Sequence, residues 1–134
     1  EFGSQCIVLF IQAKLINGEY FCLTDNSREN SGMKVIDWIK TAENLGVGEI
    51  LLSSVDRDGT KIGFDIPLIK KALEISSIPI IPHGGCGHIN DIISLEKQTK
   101  LLNAVSFSSI AYMDRFDIKV MKKKLKSNGI NVRI

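Results

Sequence analysis

The sequence lacks several features that would place it quickly in a protein class. Its apolar runs fall far short of the roughly 18 residues that a membrane-spanning helix needs, and its first residues lack the charged-then-apolar order of a signal peptide. Its three cysteines, Cys6, Cys22 and Cys86, form no CxxC pair and no cysteine–histidine spacing typical of zinc. We therefore expect a cytoplasmic protein with reduced thiols, no metal, no cofactor and no membrane association.

A strong charge of one sign is also missing. The net charge is +2, from 17 basic and 15 acidic side chains, and the lysines scatter except in MKKKLK near the C-terminus. Nucleic-acid-binding domains carry a clustered basic face, so we do not expect nucleic acid as a partner. A chain of 134 residues that is 44% apolar can build one core, and we treat residues 1–134 as a single domain.

Short apolar runs alternate with amphipathic stretches along the chain. Strands are predicted at IVLFIQAK, GEILLSSVD, IPIIPHGG and NAVSFSSI, and the Asn-Gly pair in LINGEYFCLT predicts a hairpin. Helices are predicted at MKVIDWIKTAENL, DIPLIKKALEIS, HINDIISLEKQ and DIKVMKKKLKSNG, with Ser31 capping the first and Asp65 the second.

Strand and helix thus alternate in four consecutive βα units, which predicts an α/β fold with a parallel sheet. A small doubly wound sheet and part of a (β/α)8 TIM barrel both accept this order. A complete barrel needs about 200 residues or more, so the chain would hold at most half of one.

Polar residues and glycines gather after each predicted strand. Gln12 ends the first strand, and SSVDRDGT, HGGCGH and SSIAY follow the others. In a parallel sheet these ends share one edge, so the four clusters are expected to converge there. The glycines after His83 predict a phosphate cradle and a tight turn equally well. Ser108 and Ser109 support the phosphate interpretation, because barrels often bind phosphate after their last two strands.

The acidic and histidine side chains of these turns have alternative interpretations. Asp56 and Asp58 precede a glycine, which favours a turn that also contacts a ligand over a turn alone. His83 and His88 are candidate acid–base groups or ligands, but structural or helix-cap roles are favoured for both.

The stretches FGSQ, DWIKTAENLGVGEILLSSVDRDGTKIGFD, IPIIPHGGCG and NGINVR, in this order, resemble the C-terminal half of the cyclase subunit of imidazole glycerol phosphate synthase, HisF, from histidine biosynthesis. The resemblance implies half of a (β/α)8 barrel from a lyase. A glutaminase partner feeds such a cyclase with ammonia through the barrel, and the cyclase joins it to a bisphosphorylated ribulosyl substrate.

The resemblance also implies roles for individual residues. It places Glu49 at a charged gate on the face where ammonia enters. It assigns one substrate phosphate to a set of residues in the turns, namely Asp58, Gly59, Gly84, Gly85, Ser108 and Ser109.

Two positions depart from the family pattern. Gln12 stands where the family has a catalytic aspartate, and an amide has no proton to exchange near neutral pH. His83 stands where the family has a serine. Because the family's other catalytic aspartate belongs to its N-terminal half, we expect this half-barrel to be inactive alone.

Three functions remain open at this point. The first is a HisF-type half-barrel that keeps a phosphate site, and the second is a HisF-like protein that accepts ammonia from a glutaminase in surface-sugar amidination. The third is a non-catalytic phosphate-binding or assembly module.

Unpaired outer strands and an uncovered apolar face also predict a homo-oligomer, with two halves forming one barrel-like unit.

Overall fold

The computed structural model describes residues 3, 6–100, 102–113 and 117–133, so Phe2, Ser4 and Gln5 of the FGSQ stretch lie outside it. The described strands form one sheet in the order β3-β2-β1-β4-β5. They are β1 (Val8–Ile16), β2 (Glu19–Thr24), β3 (Glu29–Lys34), β4 (Glu49–Ser54) and β5 (Ile80–His83). The helices are α1 (Val35–Asn44), α2 (Ile66–Ile75), α3 (Ile89–Thr99), α4 (Ser109–Met113) and α5 (Ile118–Ser127).

The sheet is parallel on one side of β1 and antiparallel on the other. β4 pairs in parallel with both β1 and β5, and α1 and α2 make the crossovers. β2 folds back on β1 as the predicted hairpin, with Asn17 and Gly18 both at positive φ in the turn. The predicted α/β half-barrel class is confirmed, with the antiparallel strands β2 and β3 added to its edge.

The helix N-cap predicted at Asp65 is confirmed. The Asp65 carboxylate accepts a hydrogen bond from the Leu68 N–H at the start of α2, and Asp117 caps α5 in the same way. The prediction for α1 is wrong, because Ser31 lies in β3 and donates its hydroxyl to the Cys22 carbonyl oxygen (2.7 Å). Lys34 precedes α1 without a side-chain cap.

The predicted fourth strand, NAVSFSSI, is not a strand in the described part of the chain. A main-chain hydrogen bond from Ser106 N–H to the Pro82 carbonyl oxygen (2.9 Å) joins it to β5. In a strand, the N–H and C=O of one residue point to the same neighbouring strand, and both normally form hydrogen bonds with it. Proline has no N–H, so Pro82 can accept a hydrogen bond from this segment but cannot donate one to it. Pro82 therefore interrupts the ladder at the edge where the fourth strand would have paired.

The core lies between the sheet and its helices. Ile11, Ile50 and Ile80 point from the parallel strands into one buried cluster beneath α1 and α2, and a second cluster lies around α3 and α5. Residues of the opposite sheet face are more exposed, and Val8 and Phe10 are about half exposed. None of the helices in the described ranges is long and apolar enough to cross a lipid bilayer.

Candidate functional site

The ends of the three parallel strands meet in one row. Gln12 pairs with Ser53, and Ser53 pairs with His83. Paired residues of neighbouring strands point to the same face and lie about 5 Å apart, so the three side chains stand side by side. Ser53 is buried and the other two are partly exposed. The convergence predicted for the first three strand ends is therefore present.

The glycine turn after β5 packs main chain to main chain against the loop after β4. Gly63 N–H donates to the Gly85 carbonyl oxygen (2.8 Å). A Cβ on Gly84 would lie 2.9 Å from the Ser54 carbonyl oxygen, and a Cβ on Gly85 would collide with the carbonyl oxygen of Gly63. Both glycines also have a positive φ. Both positions therefore require glycine, because the main chains of the two loops approach closely there and because the turn has positive φ angles. The absence of side chains lets the two loops pack together.

The two aspartates of the β4–α2 loop have different surroundings. The Asp56 carboxylate accepts a hydrogen bond from Leu15 N–H (2.8 Å), which ties the loop to the β1–β2 hairpin. Asp58 is fixed through its main chain, because its N–H donates to the Ser54 carbonyl oxygen (2.9 Å). Its carboxylate is about half exposed and lies 3.7 Å from His83 Nε2. Asp58 is therefore the aspartate that faces the row of strand ends.

A buried hydrogen-bond network supports this loop from below. The Tyr20 hydroxyl donates to Asp65 Oδ1 (2.8 Å), and the Ser54 hydroxyl donates to Asp65 Oδ2 (2.8 Å). Burial, together with the Asp65 carboxylate, raises the pKa of Tyr20 well above its usual range, so the phenol stays a neutral donor. The Ser54 carbonyl oxygen in turn accepts a hydrogen bond from Asp58 N–H. By holding Ser54 at the end of β4, the network therefore also positions the start of the Asp58 loop. The sequence predicted Asp65 as a helix cap and gave no signal for Tyr20 or Ser54.

The two histidines have separate roles. His88 caps α3, accepting a hydrogen bond from Asn90 N–H (3.2 Å), as the helix-cap interpretation predicted. The Asp91 carboxylate accepts from His88 N–H (2.8 Å) and Gly87 N–H (2.9 Å), which completes the cap. His83 instead lies in the row of strand ends, and its Nδ1 is 3.0 Å from Ser106 Oγ. The segment after β5 is thereby joined to the row of strand ends.

Comparison with known proteins assigns the family. The family described as histidine biosynthesis protein matches residues 1–117, most of the chain. The chain belongs to this family.

Individual relatives of the histidine biosynthesis family support the assignment. The chain is 38% identical to the imidazole glycerol phosphate synthase subunit HisF of Streptococcus gordonii, over 100% of its own length and 53% of the relative's. It is 40% identical to the HisF subunit of Sulfolobus acidocaldarius over 100% and 53%, and 50% identical to that of Legionella pneumophila over 68% and 43%. The resemblance to HisF is confirmed, and the chain spans about half the length of the curated relatives it matches.

The remaining predicted residues occupy defined places in this histidine biosynthesis fold. Glu49 begins β4, on the same face as Ser53 but roughly 13 Å away at the opposite end of the strand. Gly59 is exposed at positive φ, and a Cβ added there would meet nothing within 4 Å. Ser109 begins the short helix α4, and the Ser108 carbonyl oxygen accepts from Ala111 N–H (2.9 Å). The two serines follow Ser106 in sequence, and the hydrogen bonds given for the described residues include none from either serine to the glycine turn.

The two buried cysteines, Cys22 and Cys86, are poor candidates for nucleophilic chemistry at the site. Burial raises the pKa of Cys22 to about 11, and burial together with the Asp91 charge raises the pKa of Cys86 to about 12. Neither thiol therefore carries much thiolate near neutral pH. The described residues contain no group of three or more histidine, cysteine or acidic side chains suited to hold a metal ion.

Proposed function

We propose that the chain is a half-barrel of a HisF-type cyclase that binds one phosphate of a phosphoribulosyl substrate. The phosphate would bind at the rim, which we define as the strand-end row of Gln12, Ser53 and His83 together with the Asp58 loop and the Gly84–Gly85 turn. The observation that carries this proposal is the packing of the Gly84–Gly85 turn against the Asp58 loop at the end of the strand row. Successive main-chain N–H groups of a turn can form a concave site for an anion, and the glycines let a ligand approach the main chain closely. The proposed phosphate residues are Asp58, Gly59, Gly84, Gly85, Ser108 and Ser109.

One residue of the rim, Gln12, leads us to expect no cyclisation by this chain alone. Gln12 lies in the strand-end row where the resembled family has its catalytic aspartate, and its amide can hold a substrate by hydrogen bonds but cannot trade a proton. The relatives are subunits of a synthase, which supports a glutaminase as partner, with Glu49 at the ammonia entrance at the far end of β4.

Gln12 also favours a second candidate function. A HisF-like protein whose main task is to accept ammonia from a glutaminase, as in surface-sugar amidination, would tolerate the loss of the aspartate. Such a protein would stimulate a glutaminase without turning over the bisphosphorylated substrate.

The test joins this chain to the part of a HisF relative that it does not match. We expect saturable binding of the bisphosphorylated substrate, turnover with ammonium salt close to background, and a gain of about 100-fold or more in turnover on Gln12→Asp. Stimulation of a glutaminase without turnover in either form would favour the second candidate. Substrate binding with neither activity would favour a phosphate-binding or assembly module, and absence of binding would contradict the phosphate site.

A further inference from the structure

We propose that His83 sets the charge of the rim, so that protonation of its ring controls how tightly the Gly84–Gly85 turn binds an anion. This inference rests on the proposed phosphate site and adds a residue to it. Binding of the anion would then be accompanied by partial uptake of a proton by the His83 ring, greatest at pH values between the titration midpoints of the free and the anion-bound protein.

The ring of His83 is held at both of its nitrogens. Nδ1 lies 3.0 Å from the Ser106 hydroxyl, and Nε2 lies 3.7 Å from the Asp58 carboxylate. Its side chain is 18% exposed, which shelters the ring while leaving it open to exchange protons with solvent. These contacts fix the ring in the row of strand ends, one residue before the glycine turn.

The neighbours of His83 explain why its charge matters. A Cβ on Gly84 would lie 3.3 Å from the Asp58 main-chain nitrogen, so the Asp58 residue directly adjoins the proposed cradle. A carboxylate at this place repels an anion unless a positive charge offsets it. Protonated His83 supplies that charge at ion-pair distance, and neutral His83 does not.

Among the described residues, His83 is the basic side chain at ion-pair distance from the Asp58 carboxylate. Gln12 and Ser53, from β1 and β4, carry no charge, and neither does Ser106 from the segment after β5. The Asp58 loop also carries two cations, Arg57 and Lys61, whose Cβ atoms face Gly85 and Gly87. In the part of the chain that the structure describes, neither forms an ion pair with Asp58. Among the described residues, Asp58 is the charged partner within ion-pair distance of His83. Histidine is also the side chain whose charge ordinarily changes near neutral pH.

Sulfate is the probe, because it resembles phosphate and keeps a constant charge across the neutral range. Calorimetric titration of the 134-residue chain should show affinity falling about tenfold between roughly pH 5.5 and pH 8. His83→Asn should flatten this profile at the weaker, high-pH affinity. His88→Asn is the matched control, because asparagine is also a good N-cap, and it should keep the wild-type profile.

A second measurement needs no folded variant at position 83. By linkage, an anion that prefers the protonated ring must favour protonation to the same extent. Saturating sulfate should therefore move the NMR titration of the His83 ring upward by about one pH unit for a tenfold preference, and leave the His88 ring in place.

The outcomes separate this inference from the proposed function. Sulfate binding with the same pH profile in wild type and His83→Asn, or an unmoved His83 titration in saturating sulfate, would overturn the role of His83 and leave the phosphate site standing. Absence of saturable sulfate binding to the wild type at every pH would overturn both.

Discussion

Gly85 is the residue where the candidate site has least room for a side chain. A Cβ there would collide with the Gly63 carbonyl oxygen, and the φ of +88° is strained for any other residue. We expect Gly85→Ala to lower the free energy of unfolding by about 3 kcal/mol, from the strain of the left-handed backbone plus displacement of the facing loop. Urea unfolding followed by circular dichroism measures this change.

Gly59 provides the matched control for this prediction. It has a similar φ of +74°, but a Cβ would meet nothing within 4 Å. Gly59→Ala should therefore cost only the backbone strain, about 1 kcal/mol. Equal losses for the two variants would contradict the close packing of the Gly85 turn against the Gly63 loop.

The sequence revealed only those site residues whose signal is local. Gly84 and Gly85 stand beside each other in HGGCGH, and Asp65 stands directly before a helix, so short stretches pointed to each of them. The bond from Tyr20 to Asp65 spans 45 residues and depends on how the hairpin lies over α2. No periodicity or spacing within a short window encodes such a contact, because the fold alone brings its two ends together.

At the scale of elements, buried segments were predicted better than exposed or edge segments. β4 and β5 have apolar residues on both faces, which gave a clear strand signal. β3 was missed because all of its residues are exposed and its sequence, ENSGMK, has no apolar alternation. The prediction of a fourth strand was wrong because of strand pairing. Pro82 lacks an N–H donor at the edge of β5, where the fourth strand would have paired.

Glu43 ties the end of α1 to the turn between α2 and β5. Its Oε1 accepts hydrogen bonds from the Ser76 hydroxyl (2.6 Å) and Ser77 N–H (2.7 Å). Burial opposes ionisation, but these bonds, with one from Ile78 N–H, outweigh it and lower the pKa of Glu43 below its usual 4.5. The stabilisation is therefore present above that value and is lost as the pH falls through the lowered pKa of the folded state.

We expect Glu43→Gln to reduce the free energy of unfolding by about 1 kcal/mol at neutral pH, because a neutral amide oxygen accepts these bonds less strongly than a carboxylate. The difference from wild type should shrink as the pH falls below about 4. Urea unfolding at a series of pH values tests this, with Glu74→Gln on the exposed side of α2 as the control. A difference independent of pH would contradict the ionised-carboxylate account.

At the scale of the whole molecule, the sheet leaves one face and the first half of β1 open within the described residues. Val8 and Phe10 are 51% and 52% exposed on the face opposite the helices. β2 pairs with β1 from Gln12 onward, so the first half of β1 has β4 as its one described partner. Exposed apolar sheet faces and open strands favour association. Because the chain spans about half the length of its relatives, two copies together have about the length of one full-length relative.

We therefore propose that this face binds a second copy of the chain, giving a barrel-like homodimer. Sedimentation velocity at micromolar concentrations should show a dimer or a larger closed oligomer, and Phe10→Ser should shift the equilibrium toward monomer by about tenfold or more, because a large apolar side chain leaves the centre of the interface. Leu45→Ser is the matched control, since Leu45 is 73% exposed at the end of α1, away from this face. A monomer at all concentrations, or equal effects of the two substitutions, would show that the second copy does not cover this face.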